Sequence, residues 1–468
     1  MSRSGSGSGA PAVEPSATGR VSAPALADAP RSDPAPGQRP GQARQPLPGR
    51  EPTPRREPGS GPEPGSGPDP DPVRNPAPDS DPGPRVEGRG RGRRRAKAKA
   101  KAEAKAETQD GALAFVESPV QLLNVLEWAH NHPAPSTATP LTLVVLPPHD
   151  PMTRGQLRRM AELARDEGIT VRWQEARDGA VGVLGGLLSL SRRLSRAGTL
   201  VIGDPFSRYV QLLLALTPAR AERRITVVDD GTATMEFVSQ LARGERFVRW
   251  HRRGMRGGAR GLLFAPVSRR ARRRLTPRPD GSRPMEVFSS MPVEAPENVA
   301  VTANEFAWTR ARFGPPRLTK GADLVGTSLV ETGVVDTERY LEAVASLARA
   351  YGATRYFAHR RESSEKLQQV SAATGLEIVR PDLPLELVAR RGPVGRTILS
   401  FPSTVVHTLP LALAGTAVTV AVCDVDPAWL TRTASPRAEG FLAAVTDTAR
   451  GVRKLPSTTP PPSQNAQA

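Results

Sequence analysis

Short runs of apolar residues recur in two parts of the chain, and amphipathic stretches with helical spacing separate them. The runs are short and rich in β-branched residues, which predicts buried strands rather than helices. In the first part the predicted strands are 112–117, 141–146, 169–173, 199–202 and 224–228. In the second part they are 324–326, 355–358, 376–379, 397–400 and 418–423.

The stretches between these strands predict helices. They are 120–130, 153–167, 183–196, 208–216, 337–351, 365–374, 384–390 and 403–414. Strands that alternate with helices are typical of βαβ units in a parallel sheet. We therefore predict two α/β, Rossmann-like domains that face each other across a cleft, an architecture called GT-B-like. The predicted boundaries are an N-terminal domain at 111–248, a connector at 249–320 and a C-terminal domain at 321–454.

Composition separates both ends of the chain from these domains. Of the 49 prolines, 21 precede residue 111, and no aromatic residue precedes Phe115. Such a segment buries too little apolar surface to offset its ordering entropy, so we predict disordered tails at 1–110 and 455–468. The single cysteine excludes a disulfide scaffold and a cysteine-based zinc site. There is no long apolar run and no secretory signal pattern, so we expect a cytoplasmic protein.

Basic residues account for the formal net charge of +18 and are concentrated in two places. One is the Arg/Lys/Ala-rich segment 88–107. The other is the connector, where ten arginines fall from Arg249 to Arg274. Either cluster could contact an anionic membrane surface peripherally or bind nucleic acid, or simply be solvated. The tail has no aromatic side chains on which bases stack, which disfavours nucleic-acid binding.

Three polar groups follow predicted strands, where parallel sheets bind ligands. Asp229-Asp230-Gly231 follows strand 224–228, His359 follows strand 355–358, and Ser403-Thr404 follows strand 397–400 and opens a helix. Taken one at a time, each has an ordinary structural explanation: a turn, a satisfied histidine and a helix N-cap. Together they supply a base on one domain and a phosphate-binding cradle on the other.

This combination suits glycosyl transfer from a nucleotide sugar. A carboxylate can accept the proton of an acceptor hydroxyl, and a histidine with a helix N-terminus can stabilise the departing phosphate. We expect no metal ion and no other cofactor. Asp424-x-Asp426 has the form of a metal motif but runs into Pro427, so we do not predict a metal site there.

Several of these motifs resemble those of the bacterial sialyltransferases and alpha-2,8-polysialyltransferase-like proteins of GT-B fold. The likeness spans roughly 112–435 and consists of short motifs in the family's order. They are Ser118-Pro119-x-Gln121-x-x-Asn124, Gly203-Asp204-Pro205 with a following Gln211, Asp229-Asp230-Gly231, His359 in YFAHRRE, Pro384-Leu385-Glu386, and Ser403-Thr404 in SFPSTVVHTL.

The resemblance implies a CMP-sialic acid donor, or a related nonulosonic acid, and a glycan acceptor. It implies that Asp229 is the general base, that Asp230 orients it and that Gly231 permits the turn. His359 would stabilise or protonate the departing phosphate. The implied donor-binding residues are Ser403, Thr404 and Glu386.

Arg360 stands where the family often has proline after the histidine, and would add charge beside the phosphate. We also predict that a polyanionic acceptor would lie along a track of connector arginines, namely Arg269, Arg270, Arg272, Arg273 and Arg274. Two other functions remain open: a basic protein that binds nucleic acid or an anionic surface, and a GT-B enzyme that uses another nucleotide sugar.

Overall fold

The computed structural model describes residues 111–133, 141–175, 180–218, 223–249, 259–278 and 280–457. The predicted tail at 1–110 lies outside these residues, as does most of the predicted tail at 455–468. All the elements below belong to one compact unit of the chain.

The first domain is built on a parallel sheet of seven strands. They are β1 (Ala112–Val116), β2 (Thr142–Val145), β3 (Thr170–Trp173), β4 (Thr199–Ile202), β5 (Arg224–Val228), β6 (Met285–Ser289) and β7 (Ala300–Ala303). Their spatial order is β3-β2-β1-β4-β5-β6-β7. The order reverses between β1 and β4, where Ala114 pairs with Leu143 on one side and with Val201 on the other. Loops at such a switch point leave a crevice for ligands.

Helices cover both faces of this sheet. They are α1 (Pro119–Asn131), α2 (Pro151–Asp166), α3 (Ala180–Arg196), α4 (Arg208–Leu216), α5 (Thr232–Ala242), α6 (Ala259–Leu275) and α7 (Ala307–Arg312). As predicted, α1 starts with Ser118 as its N-cap and Pro119 in its first turn: the Ser118 hydroxyl accepts the Gln121 N–H at 3.2 Å. This cap fixes the start of α1 directly after β1.

The predicted connector at 249–320 differs from the structure, because most of its described part is built into the first domain. Strands β6 and β7 extend the sheet, and α6 packs through Ala271 and Leu275 into the core. Strand β6 is buried along its whole length, although it carries Glu286. The carboxylate of Glu286 accepts hydrogen bonds from Trp128 and Thr226, which compensates its burial. Because charged residues are frequent in this segment, its sequence did not reveal the short strand β6 or the narrow apolar face of α6.

The second domain is a parallel sheet of six strands. They are β8 (Leu318–Val325), β9 (Ala353–Phe357), β10 (Glu377–Val379), β11 (Val394–Ser400), β12 (Thr419–Cys423) and β13 (Val452–Leu455). Their order is β10-β9-β8-β11-β12-β13, the same winding as in the first six strands of the other sheet. The helices are α8 (Thr337–Tyr351), α9 (Ser364–Thr374), α10 (Leu385–Arg391), α11 (Val405–Ala412) and α12 (Pro436–Thr448). The fold class predicted from the sequence is confirmed.

Two strand predictions in this domain were incomplete. Strand β8 starts at Leu318, six residues before the predicted strand. Its first half was not predicted because it is polar and partly exposed. Strand β13 was not predicted, because Arg453 and Lys454 interrupt its apolar pattern. Neither segment has the apolar pattern of a buried strand. Pairing with β11 holds β8 in the sheet, and pairing with β12 holds β13 there.

The two domains share a core at the base of the cleft. Leu383 and Leu387, which belong to the α10 region of the second domain, lie in one apolar cluster with Phe306 and Trp308 of the first. Polar contacts flank this cluster: the Arg390 Nε–H donates to the Phe313 carbonyl at 3.1 Å. Among the described residues, no helix is long and apolar enough to cross a membrane.

Candidate functional site

A cleft of about 390 Å³ lies between the carboxyl ends of the two sheets. From the first domain it is lined by α1 and by the loop after β5. From the second domain it is lined by the loops after β8, β9 and β11 and by the start of α10. The cleft brings together eight residues that the sequence singled out as candidate site residues: Asp229, Asp230, Gly231, Glu386, His359, Arg360, Ser403 and Thr404.

Gly231 joins the two halves of this site. Its φ of 64° and ψ of −126° lie in a region that favours glycine. A Cβ built on it would stand 2.9 Å from Cγ2 of Thr404. The turn after β5 and the loop after β11 are therefore in van der Waals contact.

Asp229 is held by the first domain and is only 2% exposed. Its Oδ1 accepts the Gly231 N–H at 2.8 Å, and its Oδ2 accepts the Ser290 hydroxyl at 2.8 Å and the Ser290 N–H at 3.2 Å. Burial raises the pKa of Asp229, and these hydrogen bonds oppose the rise. Both carboxylate oxygens of Asp229 therefore accept hydrogen bonds that hold the turn after β5.

Asp230 faces the cleft more openly, with 16% of its side chain exposed. Its Oδ2 pairs with Nη2 of Arg249 at 3.1 Å. Burial raises the pKa of Asp230 to about 6; the negative charge of Asp204 adds to the rise and the positive charge of Arg249 opposes it. A carboxylate with such a pKa can act as a general base near neutral pH.

The start of α1 supports the acid pair. The Asn124 amide donates to the Asp229 carbonyl at 2.8 Å and accepts from the Asn304 amide at 2.8 Å. The Gln121 side chain hydrogen-bonds to Asp230 and also accepts the Glu117 N–H at 2.7 Å. The polar positions of the Ser-Pro-x-Gln-x-x-Asn motif thus hold the strand-end turn that carries the acids.

His359 occupies the opposite wall. Its backbone N–H donates to Glu362 Oε2 at 2.6 Å, and its Nδ1 accepts the Arg361 N–H at 3.2 Å. Because Nδ1 is an acceptor, the proton of the neutral ring lies on Nε2. Burial lowers the pKa of His359 to about 4, with a smaller contribution from the charges of Arg360, Arg361 and Lys366.

A buried ion pair lies beneath the His359 loop. Nζ of Lys366 lies 2.7 Å from Glu362 Oε1 and donates to the Thr327 carbonyl at 2.8 Å. The Tyr356 hydroxyl donates to the same carboxylate oxygen at 2.6 Å. A Cβ on Gly326 would clash with this carboxylate, so a glycine is needed for the close approach of β8. The Glu362 carboxylate therefore fixes the backbone of His359.

Ser403 and Thr404 precede α11, and within the described residues the Thr404 side chain caps no backbone N–H. Both residues line the cleft, and the dipole of the helix start favours an anion there; the N–H groups of Val406 and His407 in its first turn already donate to the Ser403 and Thr404 carbonyls at 3.2 and 3.1 Å. Nearby, Glu386 is buried, and its Oε1 accepts the Thr408 hydroxyl at 2.6 Å. Burial raises the pKa of Glu386, and the charge of Asp229 adds to the rise.

No protein-family model and no curated protein matches the sequence. Solved structures resemble this chain only in the overall path of the backbone. An α/β-galactoside α-2,3-sialyltransferase from Photobacterium phosphoreum is 10% identical, with 74% of this chain and 98% of that chain covered and a TM-score of 0.39. A putative UDP-N-acetylglucosamine 2-epimerase from Listeria monocytogenes is 12% identical, with 67% and 79% covered and a TM-score of 0.41. An E. coli heptosyltransferase is 13% identical, with 68% and 90% covered and a TM-score of 0.33. The assignment of fold therefore rests on the strand order of the two sheets.

The arginines of the predicted acceptor track lie away from the cleft. Arg274, at the end of α6, lines a small recess with Arg223 and Arg283, which precede β5 and β6. This recess is at the amino ends of the strands, whereas the cleft is at their carboxyl ends. The side chains of Arg269, Arg270 and Arg273 are exposed, Arg272 is partly buried, and none of the five lines the cleft. The structure thus separates the predicted track from the predicted site.

Arg360 does belong to the cleft. Its positive charge interacts with Asp230 of the first domain and with Asp150 at the start of α2. The positive charge that the sequence suggested beside the histidine therefore faces both domains.

Sequence reasoning missed the residues that hold the acids, namely Arg249, Ser290 and Asn304. Arg249 was counted only as part of a charge cluster, and Ser290 and Asn304 follow strands that were assigned to the connector. Predicting β6 and β7 would have identified Ser290 and Asn304, because both stand at carboxyl ends of strands in the same sheet.

Among the described residues, no group of three or more His, Cys, Asp or Glu side chains could hold a metal ion. In the Asp424-x-Asp426 motif, Asp426 Oδ1 accepts the Ala428 N–H at 2.8 Å and caps a short 3₁₀ turn.

Proposed function

We propose that this protein is a glycosyltransferase that moves a sugar from a nucleotide-sugar donor to a hydroxyl group. The observation that carries the proposal is the cleft in which the Asp229-Asp230-Gly231 turn faces His359 and the Ser403-Thr404 helix start. A base on one wall and a phosphate cradle on the other are the two requirements of a single displacement at an anomeric carbon.

The donor that we propose is CMP-sialic acid or a related nonulosonic acid, and the acceptor is a glycan. Support for this finer assignment comes from the motifs that resemble those of the bacterial sialyltransferases. Likeness to the alpha-2,8-polysialyltransferases in particular rests on the same motifs, whereas use of a polyanionic acceptor rests on the arginine-rich segment 249–274. A donor activated with a different nucleotide is the alternative outcome of the test below.

We assign the base to Asp230 and a structural role to Asp229, which exchanges the roles that the resemblance implies. Asp229 has both carboxylate oxygens occupied by donors of the first domain. Asp230 lines the cleft with a partly exposed carboxylate whose pKa of about 6 leaves it ionised at neutral pH. In the proposed reaction Asp230 accepts the proton as the acceptor oxygen attacks.

Stabilisation of the leaving phosphate falls to the second domain. Neutral His359 donates a hydrogen bond from Nε2, because its lowered pKa leaves it uncharged at neutral pH. The hydroxyls of Ser403 and Thr404, the dipole of α11 and the charge of Arg360 complete the cradle. The scheme uses no metal ion, so we expect turnover to be unchanged by a chelator.

The test is nucleotide release from a panel of CMP-, UDP-, GDP- and ADP-sugars by the purified protein. We expect release from a CMP-sugar, a loss of about 10²-fold or more in kcat/KM for Asp230→Asn, and a comparable loss for His359→Ala. Arg349→Ala, whose side chain is exposed on α8 and outside the cleft, is the matched control and should turn over normally. Full activity in the Asp230 and His359 variants would contradict the assignment, and release from a different nucleotide sugar alone would replace the proposed donor.

A further inference from the structure

Arg249 connects two carboxylates that come from different strand ends. Its Nη2 lies 2.9 Å from Oδ2 of Asp204 and 3.1 Å from Oδ2 of Asp230. Its guanidinium also lies over the Phe206 ring, 5.5 Å from the centroid. Ring and carboxylates together fix the arginine, and one positive charge serves two negative ones.

Asp204 is held independently of this arginine. Its Oδ1 accepts the Phe206 N–H at 2.8 Å in the turn between β4 and α4. Only 12% of its side chain is exposed, so water screens its charge poorly. Asp204 is therefore a fixed negative charge within about 6 Å of Asp230, because the two oxygens bond to the same nitrogen.

Other groups face Asp230 as well. Arg360 approaches from the second domain, Gln121 donates a neutral hydrogen bond from α1, and Asp229 is the neighbour in the chain. None of these bonds to Arg249 in the described residues. The balance between Asp204 and Arg249 can thus be changed while the other groups remain in place.

An arginine that pairs with one carboxylate alone makes that carboxylate a weak base, since it stabilises the charged form. Sharing the arginine with a second carboxylate restores basicity without losing the fixed geometry. We propose that Arg249 and Asp204 are positioning residues for Asp230: Arg249 aims the Asp230 carboxylate, and Asp204 keeps that arginine shared so that Asp230 can take a proton from the acceptor hydroxyl. This inference rests on the proposed function, in which Asp230 is the base.

The two positioning residues have opposite predicted effects, which a merely structural role would not produce. Asp204→Asn keeps an oxygen for the Phe206 N–H and removes the negative charge, so the pKa of Asp230 should fall by about one to two pH units. Arg249→Gln keeps a hydrogen-bond donor and removes the positive charge, so the pKa should rise by a similar amount.

The experiment measures the pKa of Asp230 directly and then asks whether activity follows. Protein labelled with carboxyl-¹³C aspartate is titrated by NMR, with Asp230→Asn used to assign the resonance and circular dichroism used to check the fold of each variant. The acid limb of kcat/KM is measured in parallel for the wild type, Asp204→Asn and Arg249→Gln. Arg249→Lys keeps the positive charge, so the pKa of Asp230 should stay close to its wild-type value. This variant also controls for loss of fold in the glutamine variant.

Opposite shifts in the NMR titration, with the acid limb moving in step, are the expected result. The inference would be overturned if both variants shifted the pKa of Asp230 in the same direction, or by less than about 0.3 pH units. It would also be overturned if the acid limb of kcat/KM did not move with that pKa. If no nucleotide sugar is turned over, the proposed function fails, and the NMR titration still decides whether Arg249 is shared between the two carboxylates.

Discussion

Replacing Gly231 by alanine tests the contact that joins the two halves of the cleft. Two separate costs are expected. The backbone angles of Gly231 are strained for an L residue, which costs on the order of 1–3 kcal/mol. The added Cβ also meets Cγ2 of Thr404 at 2.9 Å, well inside the 3.5–4.0 Å or so that is favourable for two carbon atoms. Overpacking of this kind costs a further amount of about 1–3 kcal/mol.

Thr404→Ser separates these two costs. It removes only the methyl group in contact; the remaining atoms of Thr404 near that Cβ lie at 3.5 Å, an ordinary distance. We therefore expect Gly231→Ala to lower the free energy of unfolding by about 2–6 kcal/mol in the threonine background and by about 1–3 kcal/mol in the serine background. The serine keeps the hydroxyl that the proposed donor site uses.

The assay is urea denaturation followed by tryptophan fluorescence for the wild type, both single variants and the double variant. Gly155→Ala is the matched control, because a Cβ at this position in α2 meets no atom within 4 Å. It should be neutral or stabilise the protein by up to about 1 kcal/mol. If the two substitutions prove additive within about 0.3 kcal/mol, the loops after β5 and β11 do not touch as described.

Three further predictions concern the ion pairs and the acid pair. Lys366→Met should cost about 3–5 kcal/mol in urea unfolding by leaving the Glu362 carboxylate buried and unpaired, and adding Glu362→Gln should recover part of that loss. Arg355→Met should cost a similar amount, since the guanidinium is bidentate on the fully buried Asp323; a loss below about 1 kcal/mol would contradict the buried pairing. The kcat/KM of the wild type should fall as the pH drops through about 6, because protonated Asp230 cannot act as a base; a flat profile from pH 7 to 5 would exclude it.

The alternation of strands and helices could be predicted from the sequence because it depends on local burial. Strand β5, for example, has four of its five residues buried, three of them apolar, and it ends at the acid pair that the sequence identified. The same criterion failed at β6 and β13, where Glu286 and Lys454 interrupt the apolar pattern. Their place in the sheets depends on pairing with distant strands, which single-sequence periodicity does not report.

The candidate site could likewise be predicted only where it depends on local sequence. Residues such as His359 and Ser403 were identified because they follow strands, and topology brings strand ends together. The roles proposed for Asp229 and Asp230 could not be predicted from the sequence, because the proposal rests on which carboxylate Ser290 and Arg249 contact. Those partners are 61 and 19 residues away in the sequence.

Placement of charge gives the most specific account of what the cleft can bind. The excess of arginine in the sequence suggested a continuous basic surface between the domains, yet the end of α6 carries its arginines at the amino edge of the first sheet. At the carboxyl edge, Arg249 is already shared by two carboxylates, so the positive charge it offers to a ligand is small. Arg360, Arg361 and Arg380 of the second domain line the same cleft, which also contains the helix start at Thr404. In the proposed function, an anionic donor would be bound by the second domain, while the carboxylates of the first domain suit a neutral hydroxyl that must lose a proton.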